Sequence, residues 1–143
     1  MKKILTIAIL LAGITLTSCK KDEVVSNDVA FMAMLSGAEE VPAVSTTATG
    51  MLEGTFNKVT KIFTYTATFS GMTPTAWHIH KGAKGANGGV IFALGTTFAS
   101  PFKSATVALT AEQETDLMAG SYYINFHSAK SPSGEIRGQL LKQ

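Results

Sequence analysis

The chain has 143 residues, 45% of them apolar and 15% charged, with a formal net charge of +2 and a single cysteine. That length suits one domain with a core of its own. The weak charge excludes a basic stripe for nucleic acid or another polyanion, and the lone cysteine excludes an intramolecular disulfide.

Met1-Lys2-Lys3 is a short positive segment, and Ile4 to Leu16 is an apolar run of 13 residues. The run is short for a bilayer span and suits a secretory leader. Leu16-Thr17-Ser18-Cys19 follows and resembles a bacterial lipobox, in which the leader is cleaved just before a cysteine that becomes lipid-modified. The chain therefore divides into a leader over 1–18, a tether over 19–28 and one domain over 29–143. Cys19 is the expected lipidation site, and the membrane is a partner through that anchor. Removing the leader takes Lys2 and Lys3, leaving 10 basic against 10 acidic side chains. Within the tether, Lys21-Asp22-Glu23 resembles the signal that displays some bacterial lipoproteins on the cell surface. The expected address is the outer membrane, facing the periplasm or the cell surface, with the surface favoured.

Beyond the tether, runs rich in Thr, Val, Phe and Tyr break every eight to twelve residues at turn-forming sequences, the pattern of a sandwich or barrel. Strands are expected over 29–35, 47–56, 60–69, 75–80, 90–94, 104–109, 122–127 and 135–141. The clearest is 60–69, with Phe63, Tyr65, Ala67 and Phe69 on one face and Ile62, Thr64, Thr66 and Thr68 on the other. Pro42 bars a central strand from the irregular segment around Glu39 and Glu40. The glycine-rich stretch 81–89 lacks the G-x-x-x-x-G-K-[ST] pattern and leads into a strand, so it reads as a hairpin connection, not a phosphate loop. Thr110 as N-cap, Gln113 at the third helical position and Gly120 beyond the end delimit one short crossover helix.

Six motifs stand in order along the chain: Leu35-Ser36-Gly37-Ala38-Glu39-Glu40-Val41-Pro42, Trp77-His78-Ile79-His80, Leu109-Thr110-Ala111-Glu112-Gln113, Leu117-Met118-Ala119-Gly120, Tyr123-Ile124-Asn125-Phe126-His127 and Gly134-Glu135-Ile136-Arg137-Gly138-Gln139. Together they resemble the CHRD domain, the module named after chordin, over about residues 30–141. Trp77 departs from the pattern, since small residues are common there. The resemblance implies an all-β domain in a secreted or surface setting and no particular chemistry. The expected fold is an antiparallel β-sandwich or Greek-key barrel, immunoglobulin-like or superoxide-dismutase-like.

The chain's three histidines carry the sharpest chemical question. Side chains alternate along a strand, so His78 and His80 share one face, opposite Trp77 and Ile79; likewise Tyr123, Asn125 and His127 oppose Tyr122, Ile124 and Phe126. Histidines at i and i+2 have Cα atoms roughly 6.6 to 7 Å apart, and a third from a paired strand completes a zinc or copper site. The His-x-His strand is similar to that of copper/zinc superoxide dismutase, but three histidines cannot supply that family's bridging and zinc-site ligands. The alternative is structural, with Asn125, Glu135 and Arg137 as hydrogen-bond partners for the rings.

Glu135 and Arg137 alternate onto one face and are expected to form a structural ion pair. No serine or cysteine nucleophile has the companions catalysis requires, and adjacent Glu39 and Glu40 point apart. Met32 and Met34 share a face, where core filling is a commoner use than thioether ligation of copper. The reading is a lipid-anchored envelope module with a non-enzymatic role, either structural or in binding an unidentified protein or glycan; the alternative is a zinc or copper site of His78, His80 and His127, with superoxide-dismutase-like chemistry the least favoured use.

Overall fold

The computed structural model describes residues 26–143. The leader, Cys19 and the tether through residue 25 lie outside the described residues. Nine strands and one helix follow: β1 (Asp28–Ser36), β2 (Thr49–Asn57), β3 (Phe63–Ser70), β4 (Pro74–Lys81), β5 (Val90–Ala93), β6 (Phe102–Ala105), α1 (Ala111–Met118), β7 (Tyr122–Ser128), β8 (Ile136–Gln139) and β9 (Leu141–Lys142). They form one sheet in the order β5-β4-β7-β8-β1-β2-β3-β6, with β9 pairing β1 off that path. The strand pairings are antiparallel.

The sheet curls until its two halves face each other, which gives the all-β, sandwich-like domain expected from the strand pattern. Trp77 of β4 marks the closure: its ring lies 4.9 Å from Phe102 of β6, 6.0 Å from Phe69 of β3 and 5.2 Å from Phe126 of β7. The concave side is filled by alternate residues, among them Phe31, Leu35, Leu52, Phe56, Phe63, Ile79, Ile124 and Ile136. Burying large aromatics here dominates the stabilisation, since each removes about 150–250 Å² from water.

α1 begins where the capping box placed it. Thr110 Oγ1 accepts from Gln113 N at 3.2 Å, Gln113 Oε1 accepts from Thr110 N at 3.0 Å, and Gly120 takes the left-handed φ of +67° after the helix. Leu117 turns into the core, and Lys81 of β4 pairs with Asp116 at 2.7 Å.

Two strand expectations and one core expectation need correction. The run 60–69 starts at Phe63, because Asn57 Oδ1 accepts from the backbone N–H groups of Val59 and Thr60 and holds 58–60 in a turn. The strand placed at 104–109 runs over Phe102–Ala105 instead, where Phe102 pairs with Ala67 and reaches Trp77. Met32 and Met34 do not fill the core: β1 buries Val29, Phe31, Ala33 and Leu35, and opposite parity leaves Met34 66% exposed.

Candidate functional site

β4 turns Trp77 and Ile79, both 2% exposed or less, into the core, and this aims His78 and His80 at the convex face. β7 pairs with β4 so that Ala76 stands opposite His127 and His78 opposite Asn125. His127 therefore lies diagonally beside His78, and the three imidazoles meet. One ring nitrogen from each lies within 4.8 Å of the others.

Backbone carbonyls fix how two of the rings present themselves. A carbonyl only accepts, so Nδ1 of His80 donates to Gly88 O at 3.0 Å, and Nδ1 of His127 donates to Pro132 O at 2.9 Å. Each neutral ring then carries its lone pair on Nε2. Nε2 of His127 faces Nδ1 of His78 at 3.1 Å, while Nε2 of His80 is buried without a hydrogen-bond partner. Burial is the largest influence on all three rings and lowers their basicity. Neighbouring His127 and His80 lower His78 further, and His127 and Arg137 lower His80. These imidazoles favour the neutral form, the form that ligates metals.

Around the rings, Tyr123 stacks on His80 with centroids 4.8 Å apart and planes 8° from parallel. The Arg137 guanidinium lies 3.4 Å from the Tyr123 ring centroid. Tyr123 Oη accepts from Gly88 N at 3.1 Å, so the tyrosine supports His80 through its ring and through the residue that fixes the histidine's tautomer.

Arg137, only 1% exposed, also ties down the glycine-rich connection, donating to Ala86 O at 2.8 Å, Ala83 O at 3.3 Å and Asn87 Oδ1 at 3.2 Å. Gly88 has no room for a side chain, because a Cβ there would stand 1.6 Å from Lys81 O. The stretch connects the antiparallel β4 and β5 as the hairpin reading expects, and it also lies as a strap over the polar face of β7.

Glu40 reaches under the same face and accepts two bonds from Asn125 Nδ2 at 2.8 and 3.0 Å. Burial pushes its carboxyl up to about 7, against the opposing pull of Arg137 and Asn125. The expected Glu135–Arg137 pair does not form. Glu135 precedes β8, outside the regular alternation on which that expectation rested, and accepts instead from Ser128 Oγ and, at 2.8 Å, from Thr46 Oγ1. The Ser128 bond holds its carboxyl below the usual range. Neither Asn125, Glu135 nor Arg137 hydrogen-bonds the histidines; Gly88 and Pro132 do, through backbone atoms that leave no mark in residue type. Tyr123 had a readable signal, its strand parity with Asn125 and His127.

The family model of the CHRD domain matches residues 31–140. Comparison with curated proteins and with solved structures gave no match.

Proposed function

The chain belongs to the CHRD-domain family, and from that premise and the meeting of its histidines we propose that it is a lipid-anchored envelope module that binds a zinc or copper ion through His78, His80 and His127. The observation that carries this reading is the meeting of one ring nitrogen from each histidine within 4.8 Å, with Nε2 of His80 buried and unpartnered. A metal-ligating histidine commonly donates its other ring N–H to a carbonyl or carboxylate, and His80 and His127 both do so. Bonds of about 2.0–2.1 Å to a tetrahedral ion put neighbouring ligand nitrogens about 3.3 Å apart. The 3.1 Å between His78 Nδ1 and His127 Nε2 fits that spacing. His78 then carries its proton on Nε2, and three protein ligands leave a position for water or an external donor.

Imidazole-only donation suits zinc or copper over magnesium or calcium. The proposed role is binding, and no catalytic step is assigned to the rings. Titration of the purified chain with zinc and with copper(II) is expected to give one tightly held equivalent that His80→Ala removes. Binding unchanged by that substitution refutes the site. Anchorage rests on the leader and Cys19 motif, and metabolic labelling with a fatty acid is expected to mark the wild-type chain and not Cys19→Ala. Protease treatment of intact cells then distinguishes surface display from a periplasm-facing orientation.

A further inference from the structure

The convex face carries a second set of soft donors, on strands away from the histidines. β1 commits Val29, Phe31, Ala33 and Leu35 to the core, so Met32 and Met34 face outward. Met51 of β2 stands directly across the ladder from Met34, and Met32 lies two residues along β1. Directly opposed residues hold their Cβ atoms about 4.5–5.5 Å apart, and one pleat period along a strand is about 7 Å. A methionine side chain has three rotatable bonds, so sulfurs attached at these positions can converge on one point.

Met32, Met34 and Met51 are not among the residues packed against the core cluster. Met34 is 66% exposed, whereas Met72 and Met118 pack against the core. Across the β2–β3 ladder Met51 faces Thr68, and Met32 faces Glu53 across β1–β2 and Leu141 across β1–β9, so the thioethers sit among polar neighbours with one apolar residue beside them. Met34 is the common wall of two shallow depressions, one shared with Met32 and Leu141, the other with Met51 and Thr68.

We propose that Met32, Met34 and Met51 form a second metal site, specific for copper(I). Thioethers are soft, neutral donors that select copper(I) over zinc and copper(II). They have no proton to lose, so this site keeps its ion in acid, where imidazoles protonate and release theirs. It requires nothing of the histidine site, and either can fail without the other.

The test uses the full chain in detergent carrying His78→Ala, His80→Ala and His127→Ala, so that only sulfur donors remain. Copper(I) is supplied anaerobically against a colorimetric copper(I) chelator. One equivalent is expected to be retained at neutral pH and at about pH 5, below the histidine range. X-ray absorption is expected to show a sulfur-only first shell, and Met34→Leu with Met51→Leu to abolish retention. Leucine preserves apolar volume at these surface positions, and circular dichroism checks the fold. If the triple alanine variant does not fold, the wild-type chain is compared with its Met34→Leu, Met51→Leu variant, which is expected to retain one equivalent of copper(I) fewer. No retention, or retention that the leucine variants leave intact, overturns the proposal. So does finding that the methionine patch serves only to pair two copies of the chain, seen as self-association lost in Met34→Leu without copper(I) binding.

Discussion

At the scale of single residues, Tyr123 is the side chain through which support reaches His80. Its ring stacks on the imidazole, and its hydroxyl holds the peptide of Gly88, whose carbonyl takes the Nδ1 proton. Tyr123→Phe keeps the stack and removes only the hydroxyl. Zinc affinity measured by competition is expected to fall about 10-fold, the size of effect that loss of an outer hydrogen bond has at metal sites.

Glu40 supplies a second test, through pH. Its carboxyl is raised from 4.5 to about 7, so the folded state holds a proton that the unfolded chain releases. The stability this contributes is present below about 4.5 and is lost as pH rises through 7. The three lowered histidines act in the opposite sense, contributing stability above their ordinary 6.5 that is lost as pH falls through their folded values. Glu40→Gln removes the opposing contribution. The melting temperature of that variant is expected to rise more steeply than the wild type's over pH 4.5 to 7, the interval that Glu40 spans. A parallel profile refutes the buried-carboxyl account.

At the scale of elements, α1 was legible almost to the residue, because a capping box and a C-terminal glycine are local chemistry and need no tertiary partner. Thr110→Ala removes the bond to Gln113 N, and urea denaturation is expected to show a loss of about 1 kcal/mol. Strand 122–127 was legible in position but not in environment. Parity alone put Tyr123, Asn125 and His127 on a less apolar face. The structure covers most of that face, leaving Tyr123 3% and Asn125 4% exposed. The cover comes from Glu40 and the 82–89 strap, segments distant in sequence that carry no hydrophobic period of their own. Gly88→Ala tests the strap: the added methyl has no space against Lys81 O, so His80 loses its fixed tautomer and zinc affinity is expected to fall more than in Tyr123→Phe.

At the scale of the whole molecule, Trp77 joins the halves of the curled sheet, touching aromatic rings on β3, β6 and β7. Trp77→Ala is expected to destabilise the domain by about 3–5 kcal/mol in equilibrium unfolding, the usual consequence of emptying an aromatic core position. The same closure fixes β4 against β7, so the variant is expected to weaken the proposed metal binding without altering any of the three histidines.

The sequence by itself determined the all-β class, the family, the ends of α1 and the shared parity of His78 with His80, because periodicity, caps and motif order are written in neighbouring residues. Only the tertiary structure decided that His127 joins them, that Glu135 and Arg137 part company and that three methionines lie outside the core. Each of those depends on the register of strands far apart in the chain and on where regular alternation stops. Register is set by the fit of the whole core, so no local stretch of sequence contains it.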